Sequence, residues 1–105
     1  MCDFRIWMQV HPDVYVVECV ECNTMQVRYK NIAVILTREN FGLFQDSVNL
    51  AYHALQYDGA ATHYTIPSLS NGLDMSIRAD DLRCLHSLLD RTDTEMKVLQ
   101  MANMF

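Results

Sequence analysis

Glycine and proline are scarce in this chain, and basic residues are never clustered. The 105 residues include three glycines and two prolines, and the glycines lie too far apart to form the glycine-rich loop that cradles a phosphate group. The eight Lys and Arg residues are scattered singly in a chain of formal net charge −5. Because nucleic-acid binding leaves a basic patch or stripe in a sequence, nucleic-acid partners are not expected.

Long apolar runs are missing as well. No stretch approaches the roughly 18 apolar residues that a membrane-spanning helix requires, so no membrane association is expected. The first residues, Met1 to Arg5, lack the basic start and apolar run of a signal peptide. We therefore expect a cytoplasmic protein whose four cysteines stay reduced.

The length and composition predict one folded domain, residues 1–105. Half of the residues are apolar and a fifth are charged, which is typical of a folded globular chain rather than a disordered one. A chain of this length buries a single hydrophobic core.

The first half of the sequence predicts two hairpins and a helix. Apolar residues at 4, 6, 8 and 10 predict a half-buried strand, followed by a turn at Pro12 and a second strand from Val14 to Cys19. A third strand spans residues 25–29, and residues 32–36 predict a central strand covered on both faces. Thr37 is the predicted N-cap of a helix, whose apolar face consists of Phe41, Phe44, Val48, Tyr52 and Leu55.

The second half predicts another hairpin and a leucine-rich helix. Strands at residues 62–66 and 73–77 flank Asn71-Gly72, a dipeptide that tight hairpins prefer. A helix opens at Asp80, and a capping-box pattern from Thr92 to Glu95 predicts that it restarts there. The predicted fold is α+β: a mostly antiparallel sheet of about six strands, in two or three hairpins, with two or three helices packed on one face. The N-terminal hairpin would resemble a zinc ribbon.

The motif Cys19-Val20-Glu21-Cys22 carries most of the chemistry in the chain. Two cysteines three apart in a turn between strands are typical of a zinc knuckle, in which both thiolates bind one Zn²⁺. The residue after the second cysteine often adopts a left-handed conformation, which Asn23 tolerates better than most residues. A redox pair would instead precede a helix, whose N-terminus lowers the thiol pKa, whereas a strand is predicted here.

A third cysteine is expected near this turn. If the first hairpin turns at Pro12, Phe4 lies opposite Val20 and Cys2 lies opposite Cys22. The predicted metal ligands are therefore Cys2, Cys19 and Cys22. A fourth ligand could come from Cys84, His86, His11, His63, water or another subunit, and the alternatives to metal binding are buried thiols and a redox pair.

The sequence contains no visible set of nucleophile, base and orienting residue. Asp80 and Asp81 are explained by capping of a helix start rather than by acid–base catalysis. The C-terminal segment is unusually apolar for a chain end, with Met96, Met101 and Met104. It either docks on its own sheet or is covered by a protein partner or a second copy.

The first half resembles a family of small bacterial proteins of unknown function. The resemblance covers about residues 1–50. The motifs that carry it are Cys2, the CxxC turn, Gln26-Val27, Asn31-Ile32-Ala33-Val34, and Phe41 with Phe44. The family usually has Gly where this chain has Asn23, and a histidine is common at the position of Phe4. The resemblance implies the fold and adds no activity.

These observations together predict a non-enzymatic interaction or regulatory module that carries a CxxC zinc knuckle and binds a protein partner or self-associates. The alternative is a thiol redox enzyme or sensor that uses Cys19 and Cys22.

Overall fold

The computed structural model describes residues 3–57, 62–66 and 75–103, and these residues form an α+β fold, as predicted. They contain six strands and two helices. In chain order these elements are β1 (Phe4–His11), β2 (Val14–Cys19), β3 (Thr24–Tyr29), β4 (Ile32–Thr37), α1 (Arg38–Tyr57), β5 (His63–Ile66), β6 (Met75–Arg78) and α2 (Ala79–Asn103).

The chain divides into two compact units. Unit 1, residues 1–38 and 88–105, contains β1 to β4 and the C-terminal part of α2. Unit 2, residues 39–87, contains nearly all of α1, strands β5 and β6 and the first turns of α2. The prediction of one domain over residues 1–105 stays a prediction.

The prediction of one sheet of about six strands is wrong. In unit 1 the strands form a four-stranded antiparallel sheet in the order β1-β2-β3-β4, and in unit 2 β5 pairs with β6 as a separate two-stranded sheet. The two strand sets are separated in sequence by the 20-residue helix α1. Alternation along a strand predicts that it will pair with another, but it does not identify which strand will be its neighbour.

The centre of the four-stranded sheet has one strongly buried face. Val16 pairs with Val27, which in turn pairs with Val34, so three valines lie in a row across β2, β3 and β4. Val16 and Val27 are buried, as is Met25 two residues before Val27. Successive side chains point to opposite faces of a strand, which places this apolar set on one side of the sheet.

The register of the first hairpin differs from the prediction. Phe4 pairs with Cys19 rather than Val20, and the register shifts at Trp7 and again at Val10, neither of which has a partner in β2. Each extra residue reverses the alternation that follows it. The prediction that the apolar residues at 4, 6, 8 and 10 form one half-buried face of β1 is therefore also wrong. Phe4 and Ile6 are 66% and 60% exposed.

Strand β4 is an edge strand, which corrects the prediction of a central strand covered on both faces. Only β3 pairs with it in the described sheet. Ala33 and Ile35 are exposed, whereas Leu36 is buried. A continuous apolar run does not distinguish a central strand from an edge strand with one open side.

Helix α1 begins directly after Thr37, the predicted N-cap, with Glu39 in its first turn, where an acidic side chain complements the helix dipole. Its buried residues are Phe41, Phe44, Val48, Ala51 and Leu55. Tyr52, predicted to lie on this face, is half-buried instead.

Helix α2 is continuous from Ala79 to Asn103, so the predicted restart at Thr92 is wrong. The Thr92 hydroxyl is buried and donates a hydrogen bond to the carbonyl of Leu88 at 2.8 Å. Because this bond satisfies the hydroxyl within the helix, Thr92 does not need to act as a cap.

The second hairpin is confirmed where the chain is described. Ile66 pairs with Met75 and His63 with Arg78, whereas the predicted turn at Asn71-Gly72 lies outside the described residues. Neither helix has an apolar stretch long enough to cross a membrane, judged over the described residues. The prediction that the helices lie on one face of the sheet stays a prediction.

Candidate functional site

The CxxC motif forms the turn between β2 and β3. Cys19 ends β2 and pairs with Thr24, the first residue of β3, so the four residues 20–23 make the connection. Asn23 has φ 54°, which confirms the predicted left-handed conformation after the second cysteine. Cys19 is buried and Cys22 is exposed.

The structure describes two of the three predicted zinc ligands. Cys19 and Cys22 belong to one turn, whereas Cys2 lies outside the described residues. The backbone amide of Val20 donates to the carbonyl of Asp3 at 3.2 Å, so the chain next to Cys2 reaches the CxxC turn. Among the side chains of residues 3–57, 62–66 and 75–103, no group of three His, Cys, Asp or Glu residues is arranged to hold a metal ion.

The candidates for a fourth ligand are in different places. His11 is at the end of β1, at the turn end of the first hairpin. His63 and Cys84 are exposed residues of unit 2. The imidazole of His86 stacks on the ring of Tyr52, with 3.8 Å between ring centroids and an interplanar angle of 5°.

A buried carboxylate lies on the covered side of the four-stranded sheet, just before the CxxC motif. Glu18 is 5% exposed and accepts hydrogen bonds from Arg38 Nε at 2.7 Å, Arg38 Nη2 at 3.0 Å and Trp7 Nε1 at 3.0 Å. The guanidinium carbons of Arg5 and Arg38 lie 5.3 and 5.9 Å from the centre of the Trp7 ring. We call Trp7, Glu18 and Arg38 the carboxylate cluster.

The charge of Glu18 is stabilised by its partners. The hydrogen bond from Arg38 lowers the pKa of Glu18 below its ordinary value of 4.5, and Trp7 adds to this effect, against the burial that raises it. Glu18 in turn raises the pKa of Arg38. Both carboxylate oxygens of Glu18 thus accept hydrogen bonds, and the group is ionised at neutral pH. A carboxylate in this state is suited to holding β1, β2 and the start of α1 together rather than to proton transfer.

The opposite side of the sheet is largely uncovered, and we call it the open face. Pairing and alternation place twelve strand residues on it: Phe4, Ile6, Gln9, Tyr15, Val17, Cys19, Thr24, Gln26, Arg28, Ala33, Ile35 and Thr37. No acidic residue occurs at these described positions, and Arg28 carries the only positive charge. The exposed faces of antiparallel sheets are usually polar, so a face with one charged residue and with exposed Phe4, Ile6 and Ile35 is unusual.

A groove of about 310 Å³ crosses this face over β1, β2 and β3. Its lining consists of Phe4, Ile6, Gln9, Tyr15, Val17 and Gln26. The apolar side chains supply the contact area, and the two glutamines and the tyrosine hydroxyl can form hydrogen bonds with a ligand. Small apolar sites with a few polar groups are typical binding grooves.

Unit 2 contains a second, more polar recess where β5, β6 and the start of α2 meet. Thr62, His63, Arg78, Ala79 and Asp80 line it, and Thr62 Oγ1 and His63 Nδ1 lie 3.1 Å apart. Asp80 and Asp81 occupy the first turn of α2, which agrees with their predicted role at a helix start. All but Ala79 of the lining residues are exposed, so this recess offers little shielding from water for catalysis.

Sequence reasoning missed the open face and the carboxylate cluster. The open face was missed because the shifts at Trp7 and Val10 change which residues of β1 share a side. The carboxylate cluster joins Trp7, Glu18 and Arg38, and the last two are 20 positions apart. A charged residue in the middle of the apolar run Val14 to Cys19 was the one available signal, because such a residue is buried only with a partner.

One comparison with known proteins gives a match. The model of a family of unknown function (DUF6686) matches residues 1–104, twice the span over which the sequence motifs suggested a resemblance. No curated protein matches the chain, and no solved structure matches it.

Proposed function

The chain belongs to this family of unknown function, and we propose that it acts as a non-enzymatic interaction module of the cytoplasm. The open face of the four-stranded sheet is its binding surface. The partner we infer is a protein that inserts apolar side chains into the groove between β1 and β3.

One observation carries this proposal: the three most exposed apolar residues of unit 1 are all on the open face, Phe4 and Ile6 together in the groove and Ile35 on β4 at the other edge of the sheet. Phe4, Ile6 and Ile35 are each at least 60% exposed, and none of them has an acidic neighbour on that face. Contiguous apolar surface on a folded protein marks interaction sites more often than single exposed apolar residues do. A surface with one charged residue, Arg28, among its twelve described strand positions also favours an apolar partner over a nucleic acid or a charged metabolite.

The proposal is tested by site-specific photocrosslinking in cells that express the full chain. A photoreactive phenylalanine analogue replaces Phe4 in one variant and Ile35 in another, because both side chains are exposed on the open face. The same analogue at Glu95, an exposed residue of α2, is the control. We expect the same crosslinked partner at both open-face positions and none at Glu95.

The substitution Ile6→Asp sharpens the test. It places a carboxylate in the apolar groove at a site that is 60% exposed, so the fold is retained while the partner loses its contact. Crosslinking at Phe4 should then fall to background. Equal crosslinking at all three positions, or crosslinking that Ile6→Asp does not change, would refute the proposal.

A zinc knuckle at Cys19 and Cys22, with Cys2 as a third ligand, is the second candidate function. The left-handed Asn23 supports it, because the residue after the second cysteine of a zinc-binding CxxC turn often adopts that conformation. A strand, β3, follows the motif at Thr24, whereas a redox CxxC pair usually precedes a helix. This arrangement favours metal binding over the alternative of a thiol redox enzyme or sensor.

Elemental analysis of protein purified without chelators tests the zinc proposal. We expect about one zinc per chain, and loss of the metal in both Cys22→Ser and Cys2→Ser. Cys84→Ser, a change at an exposed cysteine of unit 2, tests Cys84 as the fourth ligand: retained zinc excludes it, and lost zinc identifies it. Metal-free protein in which Cys22 reacts rapidly with a thiol reagent at neutral pH would support the redox alternative instead.

A further inference from the structure

Helix α1 has a second apolar stripe on the side away from its buried residues. Leu43, Leu50 and Tyr57 recur every seven residues and are 49%, 71% and 93% exposed. Ser47 and Ala54, both small, lie between them. In a helix of 3.6 residues per turn these five positions fall on one side, and Leu50 lies roughly opposite the buried Val48 and Leu55.

The spacing of this stripe is that of a helix-pairing seam. Residues 43, 47, 50, 54 and 57 are separated alternately by four and three positions, as are the core positions of two helices that pack along their length. Large side chains alternate with small ones, so Leu43, Leu50 and Tyr57 of one helix can fit beside Ser47 and Ala54 of another.

We propose that a second copy of this chain docks on the stripe, with the two α1 helices antiparallel. The three large residues are symmetric about Leu50, which is seven residues from Leu43 and seven from Tyr57, while the small Ser47 and Ala54 lie three before and four after it. A two-fold axis at Leu50 therefore brings Leu50 against Leu50 of the second copy, and Leu43 against its Tyr57. Such a self-complementary surface is what a two-fold dimer requires.

Charge on the border of the stripe supports the same partner. Asp46 and His53 are exposed and lie on one flank of the stripe, one turn before and about one turn after Leu50. The antiparallel arrangement places Asp46 of each copy beside His53 of the other, which makes two opposite-charge pairs when the histidine is protonated. A parallel two-fold arrangement would place Asp46 on the opposite side of the seam from Asp46 and His53 of the second copy, so neither pair could form.

A second copy fits this surface better than a membrane does. The chain carries a net charge of −5 and Asp46 borders the stripe, whereas helices that lie on anionic membranes are bordered by Lys and Arg. The stripe is about 21 Å long and about one helix diameter wide, which is much smaller than the roughly 800 Å² per partner of a standard interface. The dimer is therefore weak and forms at high protein concentration.

Sedimentation equilibrium of the full chain over a wide concentration range tests the proposal. We expect a monomer–dimer equilibrium that Leu50→Glu weakens by at least about tenfold, because it places two carboxylates at the two-fold axis. Gln56→Glu adds the same charge at an exposed site of α1 outside the stripe and should leave the equilibrium unchanged. A native chain that stays monomeric at every concentration, or a Leu50→Glu chain that dimerises like the native one, would overturn the proposal.

A charge exchange tests the antiparallel arrangement itself. Asp46→Lys should weaken the dimer several-fold, and adding His53→Glu in the same chain should restore it, because each new lysine then faces a new glutamate. A merely structural role of Asp46 would not produce this rescue, and failure of the double variant to recover would contradict the antiparallel seam. The helix stripe is tested independently of the open face, because Leu50→Glu leaves Phe4 and Ile35 in place for crosslinking.

Discussion

The two faces of the four-stranded sheet contain similar apolar residues, but one face is buried and the other is largely exposed to solvent. The covered face holds Val16, Met25 and Val27 at nearly zero exposure, and it also contains the ionised carboxylate of Glu18. The open face has Val17, Ile6 and Ile35 without any acidic group. Unit 1 thus buries a charge in its interior and leaves apolar residues at its surface.

This contrast shows that polarity alone does not decide which face of a sheet is covered. Glu18 is tolerated inside because Arg38 and Trp7 occupy its oxygens, which offsets the cost of removing a carboxylate from water. Among the described residues of unit 1, nothing comparable covers the exposed apolar side chains Phe4, Ile6 and Ile35 of the open face. The difference is what we expect if folding selects one face and binding selects the other.

The largest effect should come from truncation on the covered face. Met25→Ala removes a fully buried side chain and should lower the free energy of unfolding by about 3 kcal/mol. Ile35→Ala on the open face, at 70% exposure, should change it by less than about 0.5 kcal/mol. Urea denaturation measures both, and similar losses for the two variants would show that the open face is covered within the chain.

The carboxylate cluster should make the next largest contribution. Glu18→Gln keeps the shape but removes the charge that Arg38 and Trp7 contact, and we expect a loss of about 2 kcal/mol at neutral pH. Arg38 is half exposed, and its release to water limits the loss. Arg83→Gln, which breaks only an exposed pair with Asp80, is the matched control and should be nearly neutral.

Stability should depend on pH through the same carboxylate. The pKa of Glu18 is lower in the folded chain than its ordinary value of 4.5, so the stabilisation is complete above that value and is lost as the pH falls through the folded pKa. The difference in unfolding free energy between the native chain and Glu18→Gln should therefore shrink below about pH 4.5. A difference that stays constant between neutral and acidic pH would show that the charge of Glu18 does not stabilise the fold.

The smallest effect is expected at the turn that fixes which residues of β2 and β3 are paired. Asn23 has φ 54°, and Asn23→Ala should cost about 1 kcal/mol because Ala is unfavourable in that conformation. Asn23→Gly, which removes the steric conflict, should stay within about 0.5 kcal/mol of the native chain. If both variants lose zinc without losing stability, the turn serves the metal rather than the sheet.

Sequence reasoning was correct for structural features that depend on a few neighbouring residues. The turns at Pro12 and Lys30, the helix start after Thr37 and the left-handed Asn23 each depend on a few neighbouring residues, and the structure confirms them. A family of unknown function was also expected, and the model of such a family matches residues 1–104.

The features that sequence reasoning missed depend on partners distant in the chain. From the pair His11–Val14, the shifts at Trp7 and Val10 together move the pairing by two residues, so that Phe4 faces Cys19 rather than Glu21. No local pattern marks such an insertion. The burial of Glu18 depends on its hydrogen bonds with Arg38. The separation of β5 and β6 from the four-stranded sheet depends on which strands pair with each other. The metal site stays a prediction because one of its three cysteines lies outside the described residues.

The two register shifts in β1 have a consequence for the behaviour of the protein at high concentration. β1 is an edge strand with exposed apolar side chains. Regular edge strands of this kind can pair with strands of other copies and so start fibril growth. An unpaired residue at Trp7 and another at Val10 interrupt the even spacing of amide and carbonyl groups that such growth needs. Irregularity in this strand thus discourages fibril formation along an edge that carries exposed apolar side chains.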